Sequence, residues 1–499
     1  VASFQFHDGK CKVIYSSSPN KAYSFQRDNV EILPLKRRID PVQVIVTANG
    51  QTIHGIDAIL DFGSYFRIVR NGKKDLSFHR SEIQFQQNCL ADNKNKEAFQ
   101  YFKETATAIS LEAENGINIL RMQYDKVHQV SQDTVLANYL TPQKETQSPK
   151  MPETIIYPFG INQSQKMAVE RALSSQVSII QGPPGTGKTQ TILNIIANVV
   201  RSGQSVAVVS NNNSATHNVV EKLEKKNLDF LSAFLGSRAN KQKFLEAQTD
   251  TYPNMRDWEM SLEEQRQLDL DTTVLSKELN VMLKAKNRIA EIERTFLQLN
   301  PEHHYFDEYY STVGKTLMGN LDKLSSQKIL SLWMEFEQYA ERETHLGILK
   351  KISLWFRFNR SVLKLFLRPP ELVIPYLQSQ FYSAKKRELE NEKQELTRKL
   401  EHYAFDAKMD ELTQKSLRLF RAELASRYHW KGERKRFTEG DFREMPTTFT
   451  REYPVVLSTT YSIKGTLSIN HIYDYLIVDE ASQVDLATGV LAFSCARNI

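Results

Sequence analysis

Residues 182–189 read GPPGTGKT and fit the pattern G-x-x-x-x-G-K-T at every position. A loop of this kind points its backbone N–H groups inward at an anion. Gly182, Gly185 and Gly187 let the chain turn without a Cβ in the way, and Pro183 and Pro184 stiffen it. The run before the loop, VSIIQ (177–181), is short and β-rich, and the run after it, TQTILNIIANVVRSG, is helix-forming. Strand, loop and helix form the context such a cradle needs, because the amino end of a helix adds its own free N–H groups. The pattern assigns Lys188 to the β and γ phosphates and the Thr189 hydroxyl to magnesium, with Thr186 and Gln190 in the same nucleotide-binding stretch.

A second fully apolar run, SVAVVSN, follows that helix, and another helical stretch, ATHNVVEKLEKKN, follows the run. This spacing is a βαβ rhythm with strands buried on both faces, so the expected fold class is α/β, a P-loop NTPase with a parallel sheet. The rhythm stops near Thr251 and resumes with PVVLSTT and YDYLIVDE. Between them the pattern is helical. Leu275, Leu279, Met282, Ile289 and Phe296 recur at three-four spacing amid Lys and Glu, and a second charged run follows Pro375. Two long, coiled-coil-like arms in an antiparallel pair would satisfy both runs. The apolar, basic stretch LGILKKISLWFRFNRSVLKLFLRPP lies between the arms and is open to packing against them, to a membrane surface or to a nucleic-acid strand. KGERKRF (431–437) reads as a solvated turn.

Residues 1–85 alternate apolar and polar side chains, with Asn49-Gly50 and Asn71-Gly72 at hairpin-turn positions. The expected division is a β-rich accessory module at 1–90, a helical segment and linker at 91–152, the motor domain at 153–250 and 441–499, and a helical insertion at 251–440. Hydrophobic residues at 40% and charged residues at 25% suit a soluble globular protein. The formal charge of +6 permits an anionic partner without demanding one. Cys11, Cys89 and Cys495 lack metal-ligand spacing and are expected reduced and buried. The sequence shows no leader and no run of about 18 apolar residues, so a cytoplasmic protein without membrane contact is expected.

A magnesium site also needs a carboxylate at the end of a neighbouring strand. Asp479 follows the apolar run YLIV and is the expected metal ligand. Glu480 would orient and deprotonate water, and Gln483, within one turn, would sense the γ phosphate or its water. Lys188, Glu480 and Gln483 are thus the candidate catalytic residues, with ATP and Mg2+ the implied ligands.

GPPGTGKTQT, VVSNNNSATHNV and LIVDEASQ, in that order, resemble the superfamily 1 DNA/RNA helicases. The likeness is to the branch that includes the nonsense-mediated-decay helicase and the replication nuclease-helicase. It implies a RecA-like sheet and an ATP-driven helicase or translocase moving on single-stranded nucleic acid. By the same likeness Gln165, in INQSQ, would hydrogen-bond adenine, and Asn212, Asn213, Ser214, Thr460 and Ser462 would meet strand phosphates or sugars, with Tyr461 placed to stack. The amino-terminal and helical regions are similar to the family's barrel and stalk, and the stalk would shape the channel or dock a protein partner. The family continues beyond DEASQ into a Gly-Asp…Gln segment and a second motor domain with completing arginines, so this stretch alone would hydrolyse ATP poorly. An ATPase switch that drives partner assembly in a defence or restriction system, without unwinding, is the alternative.

Overall fold

The computed structural model describes residues 3–15, 18–48, 51–109, 118–142, 149, 151–211, 213–313, 321, 323–342, 348–358 and 360–499. The amino-terminal region forms three small antiparallel sheets. Strands β1 (Ser3–His7), β2 (Lys10–Tyr15) and β3 (Ser18–Gln26) make the first. Strands β4 (Arg37–Ile39), β5 (Val44–Ala48), β6 (Gln51–Thr52), β7 (Ile56–Asp61), β8 (Tyr65–Arg70), β9 (Leu76–His79) and β10 (Ile83–Gln87) make the others, ordered β4-β7-β8-β9 and β10-β5-β6. The expected hairpin at Asn71-Gly72 joins β8 to β9, and Gly72 takes the positive φ of +62° that such a turn favours. The turn at Asn49-Gly50 lies outside the described residues. Val46, Ile59, Phe66, Ile68 and Ile83 close a small core between the second and third sheets.

Helices α1 (Asn93–Ala108), α2 (Ile119–Lys126) and α3 (Val135–Leu140) follow. Their apolar faces pack on Ala487, Val490 and Leu491, and Tyr124 donates a hydrogen bond of 2.6 Å to the Ala487 carbonyl. The accessory helices are therefore fixed to the motor and not tethered by a loop.

The motor begins with α4 (Gln163–Ser174), α5 (Lys188–Arg201), β11 (Val206–Ser210), α6 (Asn213–Glu224), β12 (Ser232–Phe234) and α7 (Arg238–Ala247). A long excursion follows through α8 (Leu262–Val313), α9 (Ser326–Arg342), α10 (Ile348–Phe358), α11 (Pro370–His402) and α12 (Phe405–Tyr428). The chain returns with α13 (Asp441–Glu444), α14 (Pro446–Glu452), β13 (Val455–Thr459), α15 (Ile463–Thr466), β14 (Tyr473–Val478), α16 (Leu486–Phe493) and β15 (Ala496–Asn498). The sheet is parallel throughout, ordered β12-β13-β11-β14-β15. Its residues alternate between two buried faces, as a parallel sheet requires. Val206, Val208, Val455 and Leu457 face α5 and α12, whereas Ala207, Val209, Val456 and Leu476 meet Phe437, Phe449 and Tyr453.

The expected strand at 177–181 is not a member of this sheet. Ser178 donates to the Ile499 carbonyl and Ile499 to the Gln176 carbonyl, both at 2.8 Å. Residues 179–181 have no ladder partner among the described residues, and Ile179 is 85% exposed. The run has the composition of a strand, but a strand needs a neighbour.

The two arms are antiparallel as the periodicity predicts. Arg288 pairs with Glu392 at 2.6 Å, Glu293 with Lys393 at 2.8 Å, and the Tyr403 hydroxyl donates to Glu278 at 2.9 Å. Leu275, Leu279 and Leu283 at the base of α8 join the motor core beside Leu419, Phe420 and Leu424 of α12. At the far end Leu354, Phe358, Val362, Leu365 and Phe366 pack with Leu332, Phe336, Tyr376 and Leu377. The basic apolar stretch thus buries these five side chains within the stalk lobe, whereas Ile352, Phe356 and Leu367 are exposed. No described helix is long and apolar enough to cross a membrane, and all three cysteines are free and buried.

The reading of KGERKRF as a solvated turn is corrected. Arg434, 5% exposed, lies 3.0 Å from Glu452, donates to the Phe230 carbonyl at 2.6 Å and covers the Tyr453 ring at 4.2 Å. Arg436 donates to the Gln248 carbonyl, and Lys435 is exposed, its ammonium 5.1 Å over the Phe437 ring. Short range charge counting could not show that Glu452 and two carbonyls converge there.

His471 gives a pH prediction. Its Nε2 is shut off from solvent without a partner among the described atoms, and its ring meets Tyr473 edge-on at 4.7 Å. Burial pulls its pKa down to about 4, opposed by Asp474 and aided by Lys464 and Arg497. The unfolded chain takes up this proton near pH 6.5 and the folded chain only near pH 4, so stability is lost as pH falls through that window. The loss approaches about 3 kcal/mol. His471→Gln should flatten the difference between urea midpoints at pH 7.5 and pH 4.5; an unchanged difference would exclude His471 as its source.

Candidate functional site

Gly182–Thr189 closes into a loop whose backbone shows why each glycine is needed. Gly185 and Gly187 both take φ of +83°, which side-chain-bearing residues rarely adopt. A Cβ on Gly182 would stand 2.5 Å from Thr186 Oγ1, and one on Gly187 would overlap the Gln165 amide. Thr186 Oγ1 donates to the Pro183 carbonyl at 2.8 Å and tightens the turn. Helix α5 starts directly after Gly187, with no side-chain cap, so its first N–H groups stay available to an anion. Its remaining length is buried from Thr191 to Val200, which makes the loop's platform rigid.

Gln165 caps α4 reciprocally with Asn162: the Gln165 N–H donates to Asn162 Oδ1, and the Asn162 N–H to Gln165 Oε1, each at 2.9 Å. The Gln165 Nε2 reaches the Thr186 carbonyl and Gln190 Oε1, both at 3.1 Å. Gln190 Nε2 in turn donates to the Phe159 carbonyl at 2.5 Å. Gln165 and Gln190 therefore brace the loop against the segment preceding α4. Asn194 and Asn198, which the sequence reading missed, extend the brace by donating to Gly160 and Ile156 carbonyls at 2.8 and 2.7 Å. Two amides four residues apart inside an otherwise apolar helix were the available signal.

On the other side of the site, Asp479 N–H donates to the Val209 carbonyl at 2.8 Å and carries the β14–β11 ladder to its edge. The next residue turns sharply: Glu480 lies in the left-handed region at φ 55° and ψ 41°. A non-glycine residue there is held at a cost of order 1 kcal/mol, imposed by the surrounding ladder and turn. Glu480 Oε1 stands 3.3 Å from Lys188 Nζ, so loop and strand end meet. Burial, with the neighbouring Glu480 charge, holds the Asp479 carboxyl above its ordinary pKa, against the pull of the Glu480 N–H and Lys188. Asn211, also missed, donates to the Gln483 carbonyl at 2.8 Å and ties the turn after Glu480 to the end of β11. The Gln483 residue itself is exposed.

The expected strand-contacting residues do not form one set. Asn212 lies outside the described residues; Asn213 and Ser214 begin α6, beside the end of β11. Thr460 is 1% exposed, with its hydroxyl unpartnered among the described atoms. Ser462 remains partly exposed, its hydroxyl accepting from Thr459 Oγ1 at 2.9 Å. Tyr461 packs partly on the accessory helices, and its carbonyl accepts from Gln123.

Parallel sheet, glycine cradle on a helix start, and an acidic pair across from the cradle lysine define a P-loop nucleotide-binding domain. Comparison with known proteins narrows this. Residues 160–497 match the AAA domain family model, and the chain belongs to that family. Over shorter stretches it is similar to DNA-binding protein SMUBP-2 of Rattus norvegicus, 41% identical over 90 residues, or 18% of this chain and 9% of that one. A regulator of nonsense transcripts 1 homolog of Neurospora crassa is 30% identical over 165 residues, 32% of this chain and 13% of that one. A putative ATP-dependent RNA helicase, ECM32 of Saccharomyces cerevisiae, is 45% identical over 65 residues, 13% of this chain and 6% of that one. The chain thus aligns to a small fraction of each relative's length. Together these matches agree with the resemblance to the superfamily 1 helicases.

Proposed function

We propose that this chain carries the first motor domain of an ATP-driven helicase or translocase acting on single-stranded nucleic acid. The observation that carries the reading is the Lys188–Glu480 approach of 3.3 Å, which brings the phosphate cradle and the acidic strand end into one site. The motor is composed of 153–250 and 441–499, interrupted by the 251–440 stalk and preceded by the 1–90 and 91–152 accessory regions.

The residues fit a magnesium nucleotide. The cradle is open beyond Gly185, where an added Cβ would meet nothing within 4 Å. The Thr189 hydroxyl and Asp479 carboxylate are hard oxygen donors of the kind magnesium takes. When bound, the metal neutralises phosphate charge. Lys188 binds the β and γ phosphates, leaving Glu480, and the freed Glu480 carboxylate accepts the proton of the attacking water. Gln483, placed by Asn211, senses the γ phosphate, and Gln165 with Gln190 holds the adenine side of the loop. Asn212, Asn213, Ser214 and Ser462 contact phosphates or sugars of the bound strand.

Binding of a non-hydrolysable ATP analogue with magnesium tests the reading. Lys188→Ala should weaken it by one to two orders of magnitude, because a charge-assisted contact to phosphate is lost. Equal binding by parent and variant would remove Lys188 from the phosphate site and defeat the reading.

A further inference from the structure

Helix α5 carries a polar stripe along its length. Gln190, Asn194, Asn198 and Arg201 follow at intervals of four, four and three residues, which sets them on one face. Each of them bonds the backbone of 154–160, a segment with no helix or strand of its own. Gln190 donates to the Phe159 carbonyl. Asn194 accepts from the Phe159 N–H at 3.2 Å and donates to the Gly160 carbonyl at 2.8 Å. Asn198 accepts from the Ile156 N–H at 2.9 Å and donates to the Ile156 carbonyl at 2.7 Å. Arg201 Nη1 donates to the Thr154 carbonyl at 2.9 Å. The segment is zipped antiparallel to the helix, from the glutamine brace of the nucleotide loop at one end to the stalk at the other.

At the stalk end both arms grip the same turn of α5. Arg201 Nη2 donates to one oxygen of Asp269, on α8, at 2.5 Å, and the other Asp269 oxygen accepts from Thr154 Oγ1 at 2.8 Å. Arg427, on α12, donates to the Val200 and Arg201 carbonyls at 2.8 and 3.1 Å. These are the last two carbonyls of the helix, whose partial negative charge suits a cation. Glu423 holds Arg427 at 3.1 Å and accepts from Gln265 of α8 at 3.4 Å, which ties the arms to each other at this point.

Asn194 and Asn198 are 0% and 1% exposed, in a helix whose other buried contacts are mostly apolar. Apolar surfaces slide past one another at little cost, whereas a buried amide that both donates to and accepts from one backbone residue fixes the register. At the far end of the same helix stand Lys188 and Thr189. The 14 residues of α5 span about 20 Å, so a tilt of about 3° at its root moves the cradle lysine by about 1 Å. A displacement of that size costs up to about 10²-fold in rate. We propose that the root of the stalk is a positioning element of the ATP site. Asp269, through Arg201 and Thr154, and Arg427, through the α5 carbonyls, are positioning residues that set where Lys188 and Gln165 stand. The proposal rests on the motor reading above. It makes the stalk an input to nucleotide turnover, because a shift of the arms at their root is a shift of the cradle.

Steady-state turnover and binding of a non-hydrolysable ATP analogue with magnesium, both measured on the intact protein well below its melting transition, test it. Asp269→Ala and Arg427→Met should each lower kcat about tenfold and change analogue affinity by less, since misplacement costs most where the phosphate reacts. Asp269→Asn keeps an acceptor for Arg201 and should retain most of the parent's kcat. Arg288→Gln, which breaks the Glu392 pair farther out along the arms, should leave kcat within about twofold of the parent. A root that only stabilises the fold would lower the melting transition and leave the turnover of the folded protein unchanged. Parent-level kcat in Asp269→Ala and Arg427→Met, with Lys188→Ala impaired, would therefore overturn the proposal and leave the motor reading standing. So would a loss in Arg288→Gln as large as theirs, or an Asp269→Asn protein as slow as Asp269→Ala. No turnover by the parent, or analogue binding by Lys188→Ala equal to the parent's, would overturn the motor reading and the proposal with it.

Discussion

Glu480→Gln in the intact protein is expected to retain ATP and to lose hydrolysis by about 10²- to 10⁴-fold, the usual contribution of a general base. The substitution is nearly isosteric and keeps the left-handed turn at φ 55°, so the loop and the Asp479 ladder contact should survive. Its Lys188 partner is also partly exposed, and a pair of that kind contributes little to stability. What disappears is the capacity to accept a proton, since an amide has none to offer. Gln483 cannot substitute for the same reason. Steady-state turnover and analogue binding, measured side by side, separate the two effects. Parent-rate hydrolysis by Glu480→Gln would show that another group is the base.

Arg434→Met should have the largest effect on stability. The guanidinium and the Glu452 carboxylate are both nearly sealed, at 5% and 6% exposure, and stand 3.0 Å apart. Removing one partner of a buried pair leaves an uncompensated charge, typically at about 3–5 kcal/mol. The Phe230 carbonyl also loses its donor, and Tyr453 loses the cation over its ring. The expected change is a drop of roughly 10 °C in the melting transition of the motor core. Arg434→Met/Glu452→Leu should recover much of it, because two apolar groups do not leave a charge behind. A single variant that melts with the parent would mean that the pair is solvated in solution.

The nucleotide loop was legible because its function is written in local backbone chemistry. Glycines at 182, 185 and 187 are dictated by left-handed torsions or close approach, and any short window that contains them carries that information. The apolar runs of β11, β13 and β14 declared themselves as doubly buried strands for a similar reason, as did the arms through their three-four spacing. Asp479 and Glu480 were readable as an acidic pair at a strand end. The approach of Glu480 to Lys188, 292 positions away, follows only from the packing of α5 on a sheet in which β11 and β14 are neighbours.

Tertiary structure alone decided the fates of residues whose local signals were ambiguous. The run 177–181 has strand composition, yet hydrogen bonding in a sheet requires a neighbour, and among the described residues only Ser178 of the run meets one, at Ile499. Arg434 and Lys435 are adjacent cations of similar sequence character. One is buried against Glu452 and the other faces outward, because side-chain burial is set by what other segments bring to the spot. Thr460 and Ser462 likewise share a polar stretch, but the fold seals the first and leaves the second partly open. Sequence by itself determined the backbone conformations and periodic faces, which depend on nearest neighbours along the chain. The positions of charges and hydroxyls relative to solvent depend on contacts between segments far apart, and those the packing decided.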